Sequence, residues 1–179
     1  MSKLRQPTKL IHHPYQAPAG FAAMTVPVHK ASTVFFESVA QMRATDWRVG
    51  QSYSYGLHGT PTTYTLEARI ATLEGGKHCL LAPSGLSAIA IVNLSLLKQG
   101  DEVLIPDNVY GPNRDLLYSL LANYGVSTQV YDPLHADRLE LRSNTRLLWL
   151  EAAGSITMEF PDLQGLIARA KQARSEERR

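Results

Sequence analysis

The chain has 179 residues, 44% of them hydrophobic and 19% charged, with a formal net charge of +2. That length supports one ordinary domain with a real core, and so small a net charge gives no field that calls for a nucleic-acid or membrane partner. The single cysteine, Cys79, excludes an internal disulfide and fits a reducing, cytoplasmic setting.

The basic opening MSKLRQPTKLIHHPY has no apolar core of the kind a secretory signal needs. The longest mostly apolar stretch, Ser87 to Leu97, is too short to span a bilayer. Residues 1–52 read as an irregular arm, broken by Pro7, Pro14, Pro18, Gly20 and Pro27, with one short extended piece at Ala31 to Phe36. Residues 53–179 read as the regular domain.

In that domain, Leu66, Ile70 and Leu73 stand at helical spacing, and the pattern predicts a helix from Tyr64 to Leu73 ended by Gly75-Gly76. Cys79 to Ala82 predicts a short buried strand. Pro83 or Ser84 opens a helix over Gly85 to Lys98, and Gly100 closes it. Glu102 to Ile105 is a strand stopped by Pro106. Pro112 begins a helix over Asn113 to Tyr124, and Gly125 ends it. Strands follow at Val126 to Tyr131 and Arg146 to Leu150, with a short helix between them at Leu134 to Leu141. The last helix runs from Pro161 to Ala173. Short apolar strands alternating with helices imply an α/β fold, a three-layer αβα domain with a mainly parallel sheet. Ligands of such sheets sit outside the carboxyl ends of the strands, so the loops after the strands are the places to look for chemistry.

Four segments stand out. Ala82-Pro83-Ser84-Gly85-Leu86-Ser87 follows a strand and opens a helix, an arrangement whose free N–H groups suit a phosphate; a plain helix start capped by Ser84 is the simpler reading. Asp107-Asn-Val-Tyr110-Gly-Pro112 puts an aromatic ring beside the next strand end, for stacking on a flat ligand or as an ordinary turn residue. Tyr53-Ser-Tyr55-Gly-Leu57-His58-Gly59 offers tyrosine hydroxyls, or is a glycine-rich loop. Glu151-Ala-Ala-Gly154-Ser155-Ile-Thr157-Met follows the fourth strand, on the ligand side or as a simple connection. The histidines at 12, 13, 29, 58, 78 and 135 show no metal-ligand spacing. Gly75-Gly76-Lys77-His78 departs from a phosphate-binding P-loop, because Ala71 replaces its first glycine and no Ser or Thr follows the lysine.

Taken in order, YGLHGTPTTYTLEARIATLEGG, LAPSGLSA, QGDEVLIPDNVYGP, YDPL and LEAAGSITMEFPDL resemble the Cys/Met-metabolism family of pyridoxal-phosphate (PLP) enzymes over about residues 8 to 170. Gly154 to Glu159 favours its β-lyase branch. The resemblance implies an incomplete large domain of a fold-type I, aspartate-aminotransferase-like PLP enzyme, with no C-terminal domain. The implied activity is carbon–sulfur cleavage of cystathionine to homocysteine, pyruvate and ammonia, within transsulfuration and methionine biosynthesis; γ-synthase and γ-lyase types are alternatives. It further implies a sulfur amino-acid substrate and a homodimer or homotetramer.

The residues carry over as follows. Tyr55 matches a tyrosine that reaches the cofactor phosphate of a neighbouring subunit. Gly85 and Leu86 match the pair whose N–H groups hold that phosphate. Tyr110 matches the residue that stacks on the pyridine ring and assists proton transfer. Ser155 matches a position near the ring hydroxyl and substrate. The family's usual arginine, two residues after the tyrosine, is Leu57 here, which removes a bidentate phosphate contact. The Schiff-base lysine of the family stands in an S-x-T-K context, and none of Lys3, Lys9, Lys30, Lys77, Lys98 and Lys171 does. The polar end from Ala170 falls where a further strand is expected. The chain is therefore read as a truncated fragment, inactive alone and poorly soluble through exposed apolar edges.

Overall fold

The computed structural model describes residues 25–46 and 52–176, with Arg5, Thr8 and Ala19 besides. The expected breaks at Pro7, Pro14, Pro18 and Gly20 lie outside the described residues. Two compact units divide the chain, Met1–Leu81 and Ala82–Arg179.

The first unit contains helices α1 (Val39–Ala44) and α2 (Pro61–Glu74). Each begins where a hydroxyl side chain satisfies a free helical N–H: Ser38 accepts from Gln41, and Thr60 from Thr63. Thr63 returns the contact to Thr60 N–H, completing a capping box, and Pro61 supplies the preset φ of a first helical residue. Gly75, at φ +67°, ends α2 in the left-handed conformation that a side chain disfavours. The extended piece expected at Ala31 to Phe36 shrinks to one antiparallel bridge, Thr33 to Tyr55.

The second unit begins with α3 (Gly85–Leu96) and β1 (Glu102–Pro106). Then come α4 (Gly111–Leu116), which runs on through a single π turn at Leu117–Leu121, β2 (Ser127–Tyr131), β3 (Thr145–Leu148) and α5 (Leu163–Glu176). The sheet is parallel in the order β2-β1-β3, with Val103 opposite Thr128 on one side and Leu147 on the other.

β1 is buried along its whole length because both its edges and both its faces are covered. Its alternate residues serve two cores. Val103 and Ile105 pack with Val109, Leu117, Leu121 and Val126, while Leu104 packs with Tyr131, Leu139 and Leu166. Helices therefore lie on each face of the sheet, the αβα layering expected from the alternation. Among the described residues no helix is long and apolar enough to cross a membrane.

Three expectations need correction. Cys79 to Ala82 is not a strand: both edges of β1 are taken, no partner pairs with this run among the described residues, and Leu80 is 73% exposed. An apolar run forms a strand only when a neighbour completes its ladder. Leu134 to Leu141 holds just a 3-10 turn, Ala136–Arg138, because Pro133 and a weak apolar pattern give no helical face. The polar stretch from Ala170 continues α5 to Glu176 as helix.

Candidate cofactor site

In the second unit, the carboxyl ends of β1 and β3 lie side by side, since the two strands are parallel neighbours. The loops leaving them are laced together. The backbone N–H of Tyr110 donates to both carboxylate oxygens of Glu151, at 2.9 and 3.1 Å. The N–H of Ser155 donates to the Asn108 carbonyl at 3.0 Å. The Asn108 side-chain amide donates to Glu159 Oε2 at 2.8 Å, and Gly154 N–H donates to the Glu159 carbonyl at 2.9 Å. Thr157 and Asn108 both hydrogen-bond the Glu159 carboxylate, in that order of effect, and hold its pKa below the usual carboxylate value. Ile156 and Met158 in this loop take left-handed φ values of +70° and +62°, an unfavourable conformation for a β-branched residue such as Ile156. The tight weave of the loop holds them there.

Tyr110 and Ser155, both singled out from the sequence, are thus brought to one edge of the sheet and cross-linked through Asn108 and Glu151. Tyr110 is 42% exposed. At the end of β2, the Tyr131 hydroxyl donates to the Trp149 carbonyl at 2.7 Å. Burial first, then the charges of Glu151 and Asp107, push its pKa upward and keep it protonated.

Gly85 and Leu86 open α3. Its far end feeds β1, so its start lies at the carboxyl edge of the sheet. Ser84 caps the helix by accepting from Ser87 N–H at 3.1 Å. That leaves the N–H groups of Gly85 and Leu86 without an intrahelical acceptor. A Cβ on Gly85 would meet nothing within 4 Å. Two donors at the positive end of a helix, with no acceptor among the described residues, suit a phosphate. The partly exposed Tyr110 ring suits a flat heteroaromatic group, so this donor set fits PLP.

Tyr55 belongs to the first unit. Its ring meets the His58 ring edge-on, with centroids 5.5 Å apart, and Ser32 Oγ donates to its hydroxyl at 3.5 Å. Gly56 is required there, since a side chain would strike the Ala31 backbone. His58 also contacts Ser54 Oγ at 3.3 Å, so it packs the turn that displays Tyr55. Leu57 is 76% exposed.

Sequence reasoning missed Asn93 and Asn113, and it included Asn108 and Glu151 in their segments without giving them a role. Asn93 and Asn113 are fully buried, and Asn93 Nδ2 donates to Asn113 Oδ1 at 3.0 Å. The Trp149 indole N–H donates to Asn93 Oδ1 at 2.9 Å. An Asn within the apolar run of α3 was the available signal, because a buried amide requires partners.

The family model for Cys/Met metabolism PLP-dependent enzymes matches residues 7–176. The chain belongs to this family. It is 35% identical over 171 residues to cystathionine beta-lyase MetC of Escherichia coli, covering 94% of this chain and 43% of that protein. It is 39% identical over 163 residues to cystathionine beta-lyase of Bordetella avium, covering 89% and 41%. An L-alanine/L-glutamate racemase of Wolbachia pipientis is 32% identical over 160 residues, covering 84% and 40%. The chain thus spans about two fifths of the length of the curated relatives it matches.

Among solved structures, metB from Corynebacterium glutamicum superposes with a TM-score of 0.84 at 23% identity, covering 95% of this chain and 43% of that one. A putative O-acetylhomoserine (thiol)-lyase (metY) from Campylobacter jejuni gives 0.86 at 24%, covering 94% and 42%. These likenesses establish the fold, a partial αβα domain of fold-type I.

Proposed function

We propose that the chain carries the phosphate and ring grip of a PLP-dependent carbon–sulfur lyase of the cystathionine β-lyase type. The observation that supports this reading is the hydrogen-bonded lacing of the Tyr110 and Ser155 loops at the carboxyl ends of neighbouring parallel strands, in a chain whose family is PLP-dependent. Gly85 and Leu86 bind the phosphate through backbone N–H groups, and Tyr55 supplies a hydroxyl to the phosphate of a neighbouring subunit. Tyr110 stacks on the ring and moves a proton at its hydroxyl; Ser155 lies by the ring hydroxyl. When bound, PLP supplies an electron sink for loss of the substrate α-proton and of the thiol from the β-carbon.

This reading treats residues 53–179 as part of a PLP-binding large domain and residues 1–52 as an arm. It carries with it a cytoplasmic, homodimeric or homotetrameric enzyme acting on cystathionine. A γ-synthase or γ-lyase activity is the alternative within the family, and the racemase relative illustrates how far chemistry varies at comparable identity. A second reading, a non-catalytic remnant, is favoured by where the lysines of the second unit stand. Lys98 follows the far end of α3, roughly 18 Å along the helix from Gly85. Lys171 lies past the middle of α5, two turns and more from its start.

Equilibrium dialysis with PLP tests the grip: the chain binds, and Gly85→Val and Tyr110→Ala each weaken binding. Unchanged affinity in both variants rejects the site. Incubation of the loaded chain with cystathionine separates the two readings. Pyruvate release supports the lyase, whereas bound PLP without product, and without a lysine fixed by borohydride, supports the remnant.

A further inference from the structure

We propose that Asn93 is a positioning residue that sets the spacing between the phosphate side and the ring side of the PLP grip. This rests on the reading above. The strongest buried polar feature outside the grip itself is the chain Trp149–Asn93–Asn113. Its direction is determined by chemistry. An indole nitrogen only donates, so Asn93 must turn its oxygen to Trp149 and its amide nitrogen to Asn113. Asn113 must then present its oxygen, and its own Nδ2 is left buried without a partner among the described residues. A network kept with an unpaired donor is one that apolar packing of the same volume would outdo in stability. What it provides instead is geometry.

Each member lies on a different segment of the grip. Asn93 is on α3, the helix that presents Gly85 and Leu86. Asn113 follows Tyr110 by one helical turn in α4. Trp149 leaves β3 just ahead of Glu151, the residue that holds the Tyr110 N–H. Two hydrogen bonds therefore fix the phosphate cradle, the stacking ring and the Glu151–Ser155 loop to one another. Hydrocarbon contacts tolerate sliding, whereas amides with set donor and acceptor ends do not.

The test separates positioning from folding by probing the subsites singly and joined. Binding of inorganic phosphate, of pyridoxal and of PLP is measured on the full chain and on Asn93→Leu. PLP affinity falls about tenfold, a typical coupling between members of one network, while phosphate and pyridoxal each bind the variant as they bind the original. Equal losses for all three probes, or no loss for PLP, overturn the inference. If Asn93→Leu does not fold, Trp149→Phe carries the test: it removes one donor and keeps the ring packing, and its selective loss for PLP is smaller. An original chain that binds no PLP overturns the proposed function and this inference together; a chain that binds, with a variant lacking the selective loss, overturns this inference alone.

Discussion

The backbone N–H of Tyr110 is held by both carboxylate oxygens of Glu151, at 2.9 and 3.1 Å. A charged acceptor at the end of β3 thus fixes the residue proposed to stack on the cofactor ring at the end of β1. Hydrogen bonds to charged groups contribute about 1.5–3 kcal/mol when shielded, and exposure of Tyr110 puts this one at or below the lower limit. Glu151→Ala is expected to weaken PLP binding by roughly threefold to tenfold with little change in Tm. Glu151→Gln, which keeps an acceptor, recovers most of it. A Glu151→Ala chain with undiminished PLP affinity contradicts this.

Tyr131 ties β2 to the end of β3 through the Trp149 carbonyl. Tyr131→Phe should cost about 0.5–1.5 kcal/mol, read from urea unfolding. The raised pKa gives a sign as well. The folded state holds the phenol proton more tightly than the unfolded chain, so the stabilisation is complete below the ordinary value of 10.0 and declines as pH rises above it. Tyr131→Phe should remove that alkaline decline; an unchanged decline would assign it to another group.

Glu159 behaves in the opposite sense. Its carboxylate is stabilised by Thr157 and Asn108, so its contribution is present above the ordinary value of 4.5 and is lost as pH falls through the lower folded value. The loop over 152–160 should loosen in acid before the sheet does, as seen by limited proteolysis at low pH. In Glu159→Gln the cleavage rate should no longer depend on pH over that range.

Gly154 has no room for a side chain, since a Cβ would collide with the Asn108 amide. Gly154→Ala should therefore cost about 1–3 kcal/mol or release Asn108 from Glu159. Either way, cleavage of the 152–160 loop by protease accelerates. A variant as resistant as the original would mean that the loop yields without loss.

Leu57 is exposed in the turn that displays Tyr55. If that turn serves the phosphate of a neighbouring subunit, Leu57→Arg adds a charged fork and raises PLP affinity about tenfold. The gain should grow with protein concentration, because the contact is made between subunits. A gain independent of concentration would place the contact within one chain.

The layered fold was legible because β1 is apolar from Val103 to Pro106 and the helices carry start or stop signals, such as Ser84, Gly75 and Gly125. The ends of β1 and β3 pointed to the loops that hold Tyr110 and Ser155, whereas Gly85 was reached through a helix start whose expected preceding strand is absent. What stayed hidden depends on pairing across the chain. Nothing local tells Cys79 to Ala82 that no ladder partner is available, or tells Asn93 that Asn113 and Trp149 will be within reach. Glu151 was singled out only as the start of a ligand-side loop, since its partner is a backbone N–H 41 residues away.

β1 is bonded to a neighbour on each side, and Val103, Leu104 and Ile105 have no exposed surface. Their amides can meet solvent deuterium only when the whole second unit opens. The slowest-exchanging signals of the protein should thus come from these three residues. They provide an internal clock for global unfolding, against which the faster breathing of the ligand-side loops can be timed in the same sample.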